Sequence, residues 1–168
     1  MAITLIAAAG ATDANSYCTV ADGNLYHTMR LFGAVWISAN ETTKTASLVW
    51  ATSMLDNQVD WMGTKVTESQ SLRWPRTGVI DRDGHSINQR TIPISLANAT
   101  AELARLLISE DRNAEQDGIG FEEIEVGPIN LIFDKSDKKT VIPDGVFNLI
   151  NFLGKRKGTG NTMRLVRV

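Results

Sequence analysis

Apolar residues recur at helical spacing in several parts of this 168-residue chain. Thr19 is a side-chain cap with Asp22 three positions on, and Val20, Leu25, Met29 and Phe32 follow as an apolar stripe. A helix is expected from Thr19 to about Phe32, ended by Gly33. Asn40-Glu41-Thr42-Thr43 starts a second helix, and Ala46, Leu48, Val49, Ala51, Thr52 and Leu55 carry its apolar face to about Gln58. Ile92-Pro93 opens the longest pattern, since proline suits the first helical turn. Leu96, Leu103 and Leu107 lie on it, and Ala97, Ala101 and Ala104 are small enough to let another helix approach closely. A last helix is expected from Pro143 to Leu153, with Val146, Phe147, Leu149, Ile150 and Leu153 apolar.

Elsewhere the period shortens. Phe121–Val126 and Ile129–Phe133 alternate partly around Gly127-Pro128, which predicts a β-hairpin near 121–134. A lone hairpin is only marginally stable, so it should lie on helices, on another sheet or on a neighbouring chain. The apolar start, Met1–Gly10, reads as a short strand, Glu68–Leu72 as a helical turn and Met163–Val168 as a terminal strand. The expected fold class is mainly α: a small helical bundle with an inserted β-hairpin and an extended C-terminal tail. Residues 1–154 would form the helical domain and 155–168 a flexible basic tail.

The segment from Leu72 to Gly84 fits neither period. Pro75 restricts Trp74 to extended conformations, and Gly78 and Gly84 are natural turn positions. A loop that carries a Trp needs a body to bury it against, so Trp74 is expected to anchor a loop of fixed shape. Arg73 and Arg76 would then be left for contacts with a neighbouring subunit.

Charge sharpens this picture more than composition does. Hydrophobic residues make up 43% and charged residues 21%, as in an ordinary globular chain, and the net charge of −2 gives no overall basic footprint for nucleic acid. Seven acids lie between Glu110 and Glu125, relieved only by Arg112. The last fourteen residues hold five cations and no acid, and without them the net charge would be −7. Such a tail suits a partner other than the body it leaves. β-Formers among Met163, Arg164, Leu165, Val166, Arg167 and Val168 suit addition to another protein's sheet edge. No segment approaches the roughly 20 apolar residues of a membrane span. The first Lys or Arg is Arg30, so the apolar start lacks the basic region of a secretory signal.

Candidate chemistry is sparse. Asp81-Arg82-Asp83-Gly84-His85 lacks the distal acid of a calcium loop, with Ile92 at the twelfth position, and reads as an Asx turn. His27, His85 and Cys18 belong to no visible nucleophile, base and acid pattern, so no catalytic residue and no metal set is assigned. Cys18 is the one cysteine, which excludes an internal disulfide. Gly158-Thr159-Gly160 lacks the glycine-lysine order of a phosphate loop and reads as a hinge, and no cofactor is expected. Trp36, Trp50, Trp61 and Trp74 read as core residues, and only Trp74, between Arg73 and Arg76, has the company of a base-stacking site.

Several motifs taken in order resemble a known family. Asn15-Ser16-Tyr17-Cys18-Thr19-Val20-Ala21-Asp22 and Tyr26 look like its N-terminal signature. Leu48–Thr52, Leu55-Asp56, Trp61-Met62-Gly63 and Gln70–Gly78 look like its centre, and Ala99–Ala104 and Val126–Ile129 continue it. This is similar to the tailed-phage neck family often labelled "DnaT-like single-stranded DNA binding protein". The resemblance implies a non-enzymatic head-to-tail adaptor in the virion, made in the host cytoplasm. It implies a homo-oligomeric ring of twelve subunits beneath the portal protein and around genomic double-stranded DNA. A tail or neck protein would be the further partner, and residues 163–168 would dock on the portal. An acidic channel wall would suit DNA that must slide, because it avoids counterion-driven sticking. The alternative is a single-stranded DNA-binding module that uses Trp74 and Arg76.

Overall fold

The computed structural model describes residues 4–114, 123–126, 129–132 and 140–158. The centre is a pair of long helices, α3 (Glu41–Gln58) and α4 (Ile94–Ser109), packed against each other. The Asn40 side chain caps α3 by accepting from the Thr43 amide at 2.8 Å. Leu48, Ala51 and Leu55 of α3 share a hydrophobic core with Leu96, Ala99, Leu103 and Ala104 of α4. Of the three small residues expected at a close approach, Ala101 and Ala104 are buried and Ala97 is half-buried.

Two shorter helices, α1 (Val20–Thr28) and α2 (Ala34–Ser38), cover one side of this pair. Thr19 caps α1, as its sequence indicates, by accepting from the Asp22 amide at 3.1 Å. Gly23 lets Trp36 lie against α1, since a Cβ there would stand 2.8 Å from the indole. The expected continuation of α1 to Phe32 does not occur. The helix stops at Thr28, Phe32 turns left-handed (φ 64°), and α2 follows. Three of the four stripe residues also face outward: Leu25, Met29 and Phe32 are exposed, while Val20 packs against the core and the buried positions of the helix are Gly23 and His27. A fifth helix, α5 (Asp144–Phe147), is shorter than the 143–153 expectation, and turns continue to Leu153. Val146, Ile150 and Leu153 are nevertheless buried in the common core.

The mainly α reading is corrected to a mixed α and β fold. Among the described residues, five helices are joined by three two-stranded antiparallel sheets. β1 (Val59–Trp61) pairs with β6 (Gly154–Arg156), β2 (Thr64–Lys65) with β3 (Arg76–Thr77), and β4 (Glu123–Val126) with β5 (Ile129–Ile132). The last pair matches the expected hairpin, with Val126 opposite Ile129, and the ends of the 121–134 range lie outside the described residues. The other two sheets were missed because strands of two or three residues are too short to display an alternating period. Lys155 and Arg156, read as the start of the tail, are strand residues opposite Asp60 and Val59. No strand or helix forms in residues 4–9 or 68–72. No helix among the described residues is long and apolar enough to cross a membrane.

Candidate functional site

The Trp-Pro-Arg loop is held from beneath by a polar network. Trp74 is 1% exposed and packs edge-on to Trp61, with ring centroids 6.0 Å apart. The Tyr17 hydroxyl accepts from the amides of Arg73 (3.1 Å) and Trp74 (3.2 Å) and donates to Asp56 Oδ1 at 2.5 Å. Asp56 also accepts from Trp61 Nε1 and from the Arg73 amide, each at 3.1 Å. Burial pushes the Asp56 carboxyl above the ordinary aspartate range, partly offset by these hydrogen bonds. Burial, with the negative charge of Asp56, pushes the Tyr17 hydroxyl well above 10. Tyr17 therefore stays protonated and serves as the donor at neutral pH.

The rest of the loop is fixed as firmly. Gln70 donates to the carbonyls of Leu72 and Pro75, both at 3.0 Å, and accepts from the Thr67 amide. The Trp74–Pro75 bond is cis. Arg76 spends its guanidinium on main-chain carbonyls: Nε donates to Met62 at 2.6 Å, and its terminal nitrogens reach Gly63 at 2.5 Å and Arg73 at 3.2 Å. Arg76 is thus a brace of the loop, while Arg73 is exposed with its main-chain amide and carbonyl engaged.

Beside the loop lies a polar pocket of about 200 Å³. Arg73, Arg76 and Lys157 line it with Asp56, Asp60 and the half-buried Trp61. Lys157 is positioned by β6, whose pairing continues with a 2.9 Å bond from the Lys157 amide to the Gln58 carbonyl. Its ammonium lies 4.0 Å from Asp60. Sequence reasoning named Arg73, Trp74 and Arg76 but missed Tyr17, Asp56, Trp61 and Lys157 as their company. Tyr17, Asp56 and Trp61 each sit in a motif that carried the resemblance, and that was the available signal. The expected portal-binding residues, Met163, Arg164, Leu165, Val166, Arg167 and Val168, lie outside the described residues.

Other candidates sort quickly. Asp81, Asp83 and His85 bring ligand atoms within 4.8 Å of one another on the surface. Asp81 Oδ1 is taken by the amides of Asp83 and His85, the Asx turn that the sequence predicts. Cys18 is buried, and desolvation pushes its thiol up to about 12, which leaves no thiolate at neutral pH. His27 is buried with Nε2 3.0 Å from the Ala101 carbonyl. Of the aromatics expected in the core, Trp36 and Trp74 are fully buried, Trp61 is half-buried, and Trp50 is 48% exposed beside an apolar groove between α3 and α4.

With Trp74 sealed beneath the loop, base stacking on it is ruled out, and the accessible groups of the site include the cations Arg73 and Lys157 beside the exposed Asp60. The family model described as "Putative DnaT-like ssDNA binding protein" matches residues 1–168. The chain belongs to this DnaT-like family. No curated protein and no solved structure matches it. Within the DnaT-like chain, the motifs that carry the resemblance, around Tyr17, Asp56, Trp61 and Gln70–Gly78, converge on the loop just described.

Proposed function

We propose that this chain is a non-enzymatic single-stranded DNA-binding protein. The observation that carries the reading is the match of the DnaT-like ssDNA-binding family over the whole chain. It favours DNA binding over the adaptor role that the sequence motifs put first. The exposed Arg73 and Lys157 at the braced loop support it, since flexible strands are bound first through phosphate charge. The mode differs from the one expected on sequence, because Trp74 is core and cannot serve as a stacking platform. Fluorescence anisotropy of a labelled oligothymidylate at low salt tests the reading. Saturable binding that weakens steeply with salt is expected, and no binding at 20 mM salt would remove it.

A second reading is favoured by a different observation. Leu25, Met29, Leu31, Phe32 and Ile37 are all at least 60% exposed, and they lie on α1, on α2 and in the turn between them. Exposed apolar side chains concentrated in one segment mark a protein-contact surface. On this reading the chain is a head-to-tail adaptor in the virion neck. It forms a ring, of twelve copies on the resemblance, between the portal and a tail protein around genomic double-stranded DNA. Residues 163–168 dock on the portal. Electron microscopy of the protein with its native portal separates the two readings. A ring on the portal that is lost on deletion of residues 163–168 supports the adaptor, and a monomer that leaves the portal bare removes it.

A further inference from the structure

We infer that the pocket formed by Arg73, Arg76 and Lys157 is a subsite for one backbone phosphate of the bound strand. The inference rests on the single-stranded DNA reading and assigns it a place. Three cations face two carboxylates, which leaves a net positive pocket. The two carboxylates are not equal competitors. Asp56 is engaged by the Tyr17 hydroxyl, the Trp61 indole and the Arg73 amide, so its lone pairs are directed into the loop. Asp60 is exposed and lies between two lysines, with Lys155 as its cross-strand partner and Lys157 at 4.0 Å.

The cations divide the work. Arg76 keeps its full charge while bonded only to carbonyl dipoles, so it supplies a fixed positive potential without a carboxylate partner. The Arg73 guanidinium makes no hydrogen bond or ion pair to a described residue, yet its backbone is pinned by Tyr17 and Asp56. A free fork on a fixed base suits bidentate contact with two phosphate oxygens. Burial lowers the Arg76 pKa, with repulsion from Arg73 adding to the effect and Tyr17 and Asp56 opposing it. A pocket of about 200 Å³ with this polar lining has room for a phosphodiester group.

The test is a salt series of oligothymidylate binding by the full chain, wild type against Arg73→Ala, Lys157→Ala and Arg90→Ala, a cation that does not line the pocket. Each phosphate contact contributes about −0.7 to the slope of log affinity against log salt for a single strand. Arg73→Ala and Lys157→Ala should each reduce the slope by about that amount and weaken low-salt binding about threefold or more. Arg90→Ala should leave the slope unchanged. Melting temperatures serve as the folding control, since neither the Arg73 head group nor the Lys157 head group is buried. Inorganic phosphate should displace the strand no better than chloride at matched ionic strength, which marks the phosphodiester as the ligand. Superior displacement by inorganic phosphate would assign the pocket to free phosphate and overturn the inference. If the wild type binds and both variants keep its slope, the subsite is wrong and the DNA reading stands. If the wild type does not bind at all, both fall together.

Discussion

Tyr17 and Asp56, 39 residues apart, share a 2.5 Å hydrogen bond beneath the Trp-Pro-Arg loop, and that bond organises three further groups. The same hydroxyl receives two loop amides, and the same carboxylate receives the Trp61 indole and one of those amides. Tyr17→Phe removes the acceptor for the Trp74 amide and the donor to a desolvated carboxylate. The expected loss is about 1–3 kcal/mol, the cost of leaving buried partners unsatisfied. Urea unfolding checks this, and a loss below about 0.5 kcal/mol would show that water replaces the hydroxyl.

His27 predicts a pH dependence. Its Nε2 donates to the Ala101 carbonyl, and its buried Nδ1 has no partner among the described residues. Burial lowers its pKa below 6.5, with the cations Arg105 and Arg30 adding to the effect and the Ala101 bond and Glu102 opposing it. The unfolded chain thus takes up a proton that the folded chain resists. Stability contributed by neutral His27 is complete above about 6.5 and is lost as pH falls through that value towards the folded pKa. His27→Phe should flatten the stability profile in that window, measured as urea midpoints from pH 7.5 to 5.5. An unchanged slope would assign it to other groups.

Gly63 closes the turn between β1 and β2 with φ at 68°, and a Cβ there would stand 2.1 Å from the Thr77 carbonyl oxygen. Both the backbone and the space demand glycine. Gly63→Ala should cost roughly 2–4 kcal/mol, the sum of left-handed strain and a forced shift of β3. Calorimetry against wild type reads the cost directly.

Phe32 combines a left-handed backbone with a side chain that is 87% exposed. Neither property helps an isolated chain. Phe32→Gly should therefore stabilise the monomer by about 0.5–1 kcal/mol, because relief of about 1–2 kcal/mol of left-handed strain outweighs the roughly 0.5–1 kcal/mol of chain entropy that glycine loses on folding. If the segment binds a partner protein, the same variant should weaken assembly with it. Thermal denaturation reads the first effect and co-sedimentation with the portal the second.

The long helices were legible because their caps and apolar positions agree. Asn40 and Pro93 stand where α3 and α4 begin, and Leu48, Leu55, Leu96 and Leu103 are buried as their spacing requires. The period failed at α1, where Leu25, Met29 and Phe32 obey it but face outward, while His27 and Gly23 face the core. A hydrophobic period locates a face without saying what covers it. The site was half legible for a related reason. Trp74 and the two arginines are adjacent in sequence, so local reasoning found them. Tyr17, Asp56 and Lys157 reach the loop only through the tertiary fold, with Lys157 brought in by a three-residue strand pair.

That strand pair also sets an order of events. Val59 lies opposite Arg156, so β1 waits for a partner almost a hundred residues downstream. Closing so wide a loop late is entropically costly and local helices form well before it. The pocket needs side chains from both Arg73 and Lys157, so on a growing chain it does not exist until residue 157 has left the ribosome. Helices α1 to α4 can therefore be made while the last core residues, Val146 to Leu153, and the cationic pocket are still to come.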